Sequence, residues 1–296
     1  MISYRLQALT PAASTYSLKL GEYAPASTAY KYAGWIPATT LYGLYCWRNR
    51  GECLEGYAAF YPALPAARLG EGLYGLADCG KEECTYVDFC TLVAFRGPKT
   101  SIHTGRLVKM AGIYVDRSTK TAKHGVLYYY ELYPSDVEFV TAASVTLPEA
   151  GSVGYKKSYG WGRVEIKPYC HAAEAKSSKL LFLSPMPRSA LEALGKVKEA
   201  RLKLGRWLIY LARTNRYYFV GRSFDETYLM PLTEVKFGEE ARPSAVMRKL
   251  SSHIRGLKVY TSDGREVRDE QVKEEVLKKA AATSGSPVAV IYDLPA

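Results

Sequence analysis

The sequence contains no long apolar segment and no recognisable export signal. No run of apolar residues reaches the ~18 that a helix needs to cross a bilayer. The first residues, MISYRLQALTP, have neither a long apolar core nor a site for signal-peptide cleavage. We therefore expect a cytoplasmic protein that does not contact a membrane.

Acidic residues are too few to balance the basic ones. The 296 residues include 40 Lys and Arg against 29 Asp and Glu, which gives a net charge of +11 at neutral pH. Such a surplus favours a polyanionic partner, with RNA or DNA ahead of a membrane surface. A basic surface that serves only solubility, or one that contacts an acidic protein, is the alternative.

Phenylalanine and tryptophan are scarce, with 8 and 4 copies, whereas tyrosine is abundant with 25. A tyrosine ring can lie on a nucleobase while its hydroxyl binds a sugar or a phosphate. Most of these tyrosines are nevertheless expected to be half-buried strand residues. The apolar fraction of 48% is ordinary for a folded core, and the length fits one large or two medium domains.

Helix and strand patterns are mixed along the chain without strict alternation, which predicts an α+β fold and not a doubly wound α/β fold. A polar stretch at 169–179 indicates a boundary between domains 1–175 and 176–296. Residues 57–78 are rich in Ala, Pro and Gly and predict a loop. Strands are predicted at 3–9, 16–20, 136–145, 180–183, 206–212, 216–221 and 288–292, a hairpin at 257–267, and helices at 39–51, 190–204, 244–254 and 269–282.

The most informative segment is 153–166, VGYKKSYGWGRVEI. Glycines admit positive φ and let another backbone come close, cations bind phosphates, and flat rings can stack on unpaired bases. Glu165 stands where the dinucleotide fingerprint needs its third glycine, and no P-loop is present. We interpret the segment as a loop that cradles an RNA backbone without cutting it. A tight, solvated hairpin turn is the alternative. The candidate RNA contacts in segment 153–166 are Lys156, Lys157, Tyr159, Gly160, Trp161, Gly162 and Arg163.

A helix is predicted to begin at Thr39 or Thr40, because Pro37 biases the residue before it away from helix. The free N–H groups at a helix start form an anion site. Arg48 lies near the end of this helix and is a further candidate RNA contact. A plain helix start without a ligand is the alternative.

Residues 96–131 predict a basic β-hairpin, with extended segments near 106–115 and 126–133 around a polar connector. Arg106 and Lys109 are the cations of this hairpin that we take as candidate RNA contacts. A solvated hairpin is the alternative.

Three of the six cysteines, Cys79, Cys84 and Cys90, lie close together in the sequence. Their spacings are wider than those usual in zinc knuckles. Structural zinc, disulfides and buried thiols all remain open, because cytosolic chains rarely hold disulfides but hyperthermophile proteins are an exception. Cys170 and His171 would complete a zinc site only if the fold brought them near.

In their order, these segments resemble the RAMP superfamily of CRISPR-associated proteins. WIPATTLYGLYC resembles the segment that opens the family's first helix, although Ala38-Thr39-Thr40 replaces the usual Gly-Ser or Ser-Asp pair. IYVDRSTKTAKHGVLYYYEL resembles its hairpin, GYKKSYGWGRVEI its glycine-rich loop, and LLFLSPMP the segment after that loop in one branch. The resemblance covers residues 30–187 in pieces, and residues 188–296 resemble no family that we can name.

The resemblance implies one or two ferredoxin-like (RRM-like) domains with antiparallel sheets, a protruding β-hairpin and a glycine-rich loop. The most similar branch is the subunit of type III effector complexes that grips the five-prime handle of CRISPR RNA. The sibling branch is the backbone subunit that lines the guide RNA. The implied partners are CRISPR RNA, the large subunit and the backbone subunits. Apart from a structural zinc, no cofactor is expected.

Ribonuclease activity is the main alternative within this superfamily. Backbone subunits cut target RNA with an early aspartate, but the first aspartate here is Asp78 and only Glu22 offers a carboxylate in the matching region. Guide-processing members use an early histidine as the base, and the first histidine here is His103. His124 is the best remaining candidate base. We expect no catalysis, with an endoribonuclease or a pure assembly protein as the alternatives.

Overall fold

The computed structural model describes residues 1–10, 12–15, 35–48, 57–99, 108–115, 118, 122–133, 135, 137–153 and 162–291, with the backbone alone in 12–15, 108–115 and 122–133. These residues form an α+β fold, as the sequence predicts. None of the helices in these ranges is both long and apolar enough to span a bilayer. The helices are α1 (Ala38–Arg48), α2 (Ala190–Leu194), α3 (Pro243–Arg255) and α4 (Glu270–Thr283).

Strands dominate both halves of the chain. In the first half they are β1 (Ile2–Ala8), β2 (Ala12–Thr15), β3 (Leu64–Leu69), β4 (Gly72–Cys79), β5 (Glu83–Asp88), β6 (Val93–Pro98), β7 (Val108–Val115), β8 (Ala122–Tyr133), β9 (Glu138–Ala143), β10 (Ala150–Ser152) and β11 (Arg163–His171). In the second half they are β12 (Ser177–Phe182), β13 (Met186–Pro187), β14 (Val197–Arg201), β15 (Leu204–Gly205), β16 (Ile209–Leu211), β17 (Arg216–Gly221), β18 (Tyr228–Leu229), β19 (Thr233–Ala241), β20 (Lys258–Thr261) and β21 (Pro287–Val290).

One sheet of 12 described strands runs through the whole molecule, in the order β10-β11-β1-β9-β3-β4-β5-β6-β21-β12-β19-β14. Its neighbouring strands are antiparallel except β6 and β21, which are parallel and join the two halves. This sheet includes strands from both sides of residue 175. The division into domains 1–175 and 176–296 stays a prediction. Three smaller sheets have the orders β2-β8-β7, β13-β18-β15 and β16-β17-β20.

The same strand arrangement occurs once in each half. In the first half, β1 and β3 both pair antiparallel with β9, so they run parallel to each other, and α1 connects them. In the second half, β12 and β14 are related in the same way across β19, with α2 between them in the chain. β11 flanks β1, and β21 flanks β12. A parallel pair split by a third strand is the split βαβ arrangement.

Apolar packing ties the two halves together. One core lies under α1 on the first half of the sheet, and another lies under α3 and α4 on the second half. A third core mixes residues of both halves, including Trp35, Tyr61 and Leu181. Within it the Tyr61 hydroxyl donates a hydrogen bond to the Pro287 carbonyl at 2.8 Å. The junction is therefore packed like an interior and not like a linker.

Two of the predicted elements are wrong. The segment 57–78, predicted to be a loop, contains β3 and β4. Its small residues allow these neighbouring strands to pack closely, since a Cβ on Gly75 would lie 2.8 Å from the Cβ of Leu64. The helix predicted at 190–204 ends at Leu194, where Gly195 takes a φ of 116°. The apolar positions that follow belong instead to β14, which pairs with β19.

Most other predicted elements are confirmed within a few residues of their ends. α4 begins as its sequence indicates, because the Asp269 carboxylate accepts hydrogen bonds from the N–H groups of Gln271 and Val272. The predicted basic hairpin is present as β7 and β8, which pair antiparallel and form a separate sheet with β2. The strand predicted at 16–20 lies outside the described residues.

Candidate nucleic-acid interface

The glycine-rich segment is closed at its base by main-chain pairing. β10 and β11 are antiparallel neighbours at one edge of the large sheet. Just beyond them, the Val153 N–H donates a hydrogen bond to the Gly162 carbonyl at 2.8 Å. Residues 154–161 therefore connect the two strands of an edge hairpin. Five predicted RNA contacts lie outside the described residues: Lys156, Lys157, Tyr159, Gly160 and Trp161.

Gly162 is required by its local geometry. Its φ is +73°, which L-residues rarely adopt. A Cβ at this position would lie 1.8 Å from the Val153 carbonyl oxygen, which belongs to the backbone and cannot swing away. Gly162 thus lets the two ends of the loop meet. Gly162 therefore has a structural role, and its contact with RNA stays a prediction.

Arg163 marks where the loop returns to the sheet. Its N–H donates a hydrogen bond to the Thr10 hydroxyl at 2.9 Å, and its carbonyl accepts one from the Leu9 N–H at 2.8 Å. The base of the loop is thereby tied to the end of β1. The Arg163 side chain is exposed, and no described carboxylate forms an ion pair with it. An exposed guanidinium can bind a phosphate through two parallel hydrogen bonds.

The start of α1 is fixed beside the beginning of β3. Ile36, two residues before α1, exchanges two main-chain hydrogen bonds with Ala63, which directly precedes β3. Thr39 and Thr40 are half-buried in this first turn. The Thr40 N–H already donates to the Pro37 carbonyl at 2.9 Å, so not every N–H at the helix start is available for an anion.

Arg48 lies at the opposite end of α1. Leu44 packs against β10, since a Cβ on Gly151 would lie 2.3 Å from the Leu44 Cδ1. One turn later, Arg48 lines a cavity of about 440 Å³ together with Glu149. Glu149 directly precedes β10, whose Ser152 pairs with Arg163, so the end of α1 lies beside the hairpin that carries the glycine-rich loop. Beside it, Trp47 is 77% exposed, a feature that the sequence analysis did not select.

The outward face of β1 and β11 carries cations that the sequence analysis missed. Arg5 forms an ion pair with Glu138, and its guanidinium carbon lies 5.8 Å from the centre of the Tyr169 ring. Lys167 is 3.0 Å from Glu165. The period-2 alternation of these strands was the signal that would have placed these side chains on one face.

The hairpin cations are only partly described. Lys109 lies on β7 opposite Glu131 of β8 in the backbone register. Arg106 lies outside the described residues. The sheet of β2, β8 and β7 is separate from the large sheet, so the structure does not join these two cations to the base of the glycine-rich loop.

The cysteines form disulfides and not a three-cysteine cluster. Cys79 is bonded to Cys84, and Cys90 is bonded to Cys170. Zinc binds thiolates, so in this form Cys79, Cys84 and Cys90 have no thiolate to offer, and grouping them as one zinc site is wrong for this structure. Of the alternatives left open, disulfides account for these three. Among the described residues, no three His, Cys, Asp or Glu side chains are grouped to hold a metal ion.

The described histidines do not form an obvious acid–base site. His124 lies on β8, where only the backbone is described, and His103 lies outside the described residues. His171 is exposed at the end of β11. The His253 Nε2 is 3.4 Å from the hydroxyl of Ser189, which is only 7% exposed. Burial lowers the pKa of His253, and the positive charge of Arg222 lowers it further.

Comparisons with known proteins give a fold likeness alone. Neither a protein-family model nor a curated protein matches this sequence. The chain is similar to a protein chain in a cryo-EM structure of the Type III-B Cmr-beta bound to cognate target RNA and AMPPnP. The two sequences are 12% identical, the match covers 86% of this chain and 90% of that chain, and the TM-score is 0.48. It is also similar to a protein chain in a cryo-EM structure of the Type III-B Cmr-beta bound to cognate target RNA, with 12% identity, 94% of each chain covered and a TM-score of 0.49. At these values the likeness by itself assigns no function.

Proposed function

We propose that this chain is a non-catalytic RNA-binding subunit of a type III-like CRISPR effector ribonucleoprotein. Its glycine-rich loop and the start of α1 grip the five-prime handle of CRISPR RNA. The observation that carries the proposal is the closed base of the glycine-rich loop at one edge of the large sheet, with the exposed side chain of Arg163 beside it. The loop base at Gly162 and Arg163 is tied to the end of β1.

Three further points support this function. The split βαβ arrangement, present in each half, is the one found in ferredoxin-like and RRM-like domains, and such sheets commonly bind RNA. The net charge of +11 favours a polyanion. The order of the sequence segments resembles the handle-binding branch of the RAMP superfamily. On this proposal, the partners are CRISPR RNA and the large and backbone subunits of the complex.

Reversing the charge of Arg163 is expected to weaken RNA binding without destabilising the protein. Arg163→Glu should raise the Kd for CRISPR repeat RNA roughly tenfold, since a hydrogen bond to a charged group contributes about 1.5–3 kcal/mol. It should also reduce the log–log salt slope by about 0.7, the value for one phosphate contact to a single strand. The melting temperature should hardly change, because the side chain is exposed. Fluorescence anisotropy at several salt concentrations measures both binding quantities.

A matched charge reversal separates a local contact from a general charge effect. Arg268 is an exposed arginine in the second half of the chain. Arg268→Glu changes the net charge equally and should alter the Kd by less than about threefold, the effect of long-range attraction that salt screens. A large fall in melting temperature for Arg163→Glu would make the loop a structural feature. A flat salt dependence in the unmodified protein would instead support a pure assembly protein.

The purified protein is expected to leave RNA intact. Repeat RNA and target RNA incubated with it, with and without Mg²⁺, should show no specific cleavage on a denaturing gel. The reason is the lack of an early aspartate or histidine and the absence of a histidine–carboxylate pair among the described residues. Specific products that disappear in His124→Ala would contradict this and make the chain an endoribonuclease.

A further inference from the structure

The second half of the chain carries a pair of tyrosines on its surface. Tyr210 on β16 and Tyr217 on β17 lie directly opposite each other in the antiparallel register. Their ring centres are 5.1 Å apart with an interplanar angle of 51°. The two side chains are 38% and 40% exposed. The Tyr210 hydroxyl donates a hydrogen bond to the Asn215 Oδ1 at 2.8 Å, which fixes the ring at the turn of the hairpin.

An arginine extends this row of flat groups along the sheet. Phe219 follows Tyr217 by two residues and therefore lies on the same face, about 6.8 Å farther along the strand. The exposed guanidinium of Arg206 covers Phe219 and lies 4.3 Å from the centre of the Phe224 ring. Its Nη2 donates to the Phe224 carbonyl at 2.7 Å, which holds the plane in place. We call Arg206, Tyr210 and Tyr217 the stacking strip.

The exposure of these rings does not reflect a poorly formed core. The opposite face of the same hairpin is buried, with Ile209, Leu211 and Tyr218 in the core that α4 covers. The α4 side chain of Lys279 donates a hydrogen bond to the Tyr210 carbonyl at 2.8 Å. The hairpin is therefore anchored from behind while the strip faces solvent. Pre-positioned rings of this kind lose little conformational entropy when a partner binds.

The charges around the strip favour an anionic partner. Arg206 belongs to it, and the exposed Arg213 and Arg216 lie in the same hairpin, in its turn and next to Tyr217. Of the nearby acids, Glu275 is 2.9 Å from Arg213. Hydrogen bonds from Ser223 and from its own backbone lower the pKa of Asp225, and the positive charge of Arg206 lowers it further. Single-stranded nucleic-acid sites combine flat groups for stacking with cations for the backbone. A protein partner would use the rings but would not need this surplus of cations.

We infer that the stacking strip is a second binding site for single-stranded RNA. Two or three successive bases stack on Tyr210, Tyr217 and the guanidinium of Arg206, and the flanking cations contact the phosphates. Because stacking uses the face that all bases share, the site binds without sequence preference. The inference goes beyond the proposed function, since the strip lies in the other half of the chain and does not involve the glycine-rich loop.

The test compares Tyr210→Ala/Tyr217→Ala with Tyr210→Phe/Tyr217→Phe in the full chain. The probe is a single-stranded oligoribonucleotide of mixed sequence that contains 2-aminopurine, whose fluorescence reports stacking. The alanine double variant should bind at least about fivefold more weakly, because one lost base stack is worth 1–3 kcal/mol. The phenylalanine variant keeps both rings and should stay within about twofold of the unmodified protein. Ultraviolet cross-linking followed by mass spectrometry should map RNA to the peptide that contains both tyrosines.

The same measurements in an Arg163→Glu background separate this site from the loop. If the loop does not bind RNA, the loss caused by the alanine variant is still seen. Equal affinity of the alanine variant and the unmodified protein, or cross-links that all map elsewhere, would overturn the inference. Unchanged RNA affinity together with failure to assemble with other subunits would make the strip a protein-docking surface, which also overturns it. If the alanine variant does not fold, the cross-linking of the unmodified protein decides.

Discussion

Replacing both Cys90 and Cys170 with serine is expected to lower the free energy of unfolding by about 4 kcal/mol. This disulfide joins residues that are 80 positions apart, from the turn after β5 to β11. Cross-linking so long a loop removes much of the freedom of the unfolded chain, which accounts for the large effect. Urea denaturation without reductant measures the loss, and the melting temperature should fall by roughly 10 °C.

The second disulfide provides a matched control. Cys79 and Cys84 are separated by only 5 positions, across the hairpin of β4 and β5. The chain-entropy model gives about 2 kcal/mol for so short a loop. Cys79→Ser/Cys84→Ser should therefore cost about half as much as Cys90→Ser/Cys170→Ser. Equal losses for the two pairs, or an unmodified protein whose stability does not respond to reductant, would contradict the assignment of the long-range bond.

Gly162→Ala is expected to cost about 3 kcal/mol, which is unusually large for the addition of one methyl group. Two effects combine at this position. The φ of +73° costs an L-residue about 1–2 kcal/mol. In addition, the new Cβ would meet the Val153 carbonyl oxygen, so the closing pair of the β10–β11 hairpin has to open. RNA affinity should fall with stability if the loop carries the RNA, since its base would be displaced.

Two other glycines separate these effects. Gly70 has a φ of +58° but open space around its Cβ position, so Gly70→Ala should show only the conformational cost of about 1–2 kcal/mol. Gly43 lies inside α1 with open space, so Gly43→Ala should stabilise the protein by about 0.5–1 kcal/mol. Urea denaturation of the three variants should give the order Gly43, Gly70, Gly162 from least to most destabilised. A Gly162 variant as stable as the Gly70 variant would show that the loop base is not tightly closed.

Local sequence signals were sufficient where an element depends on its own residues. The Asp269 cap and the apolar spacing of α3 predict two helices that the structure confirms, because caps and periodicity act within a few residues. They were insufficient at 57–78, where small residues that suggest a loop form β3 and β4. Their strand conformation depends on pairing with distant neighbours such as β9, which no local window contains.

The residues of the candidate site could also be predicted only in part from the sequence. The composition of residues 153–166 was enough to select the loop and to nominate Gly162 and Arg163. Only the structure showed that Gly162 is demanded by contact with Val153, and that Arg48 shares a cavity with Glu149 next to β10. The sequence likewise left zinc, disulfides and free thiols open for the cysteines, because spacing along the chain does not report which sulfurs meet in space.

The sequence by itself determined the α+β class, the net positive charge and the segments proposed to contact RNA, since these follow from composition and short-range patterns. The tertiary structure alone decided that one sheet unites both halves, that Cys90 meets Cys170, and that Tyr210 and Tyr217 form an exposed pair. The physical reason is that strand pairing and side-chain packing join residues far apart in the chain, and their stability depends on all partners at once.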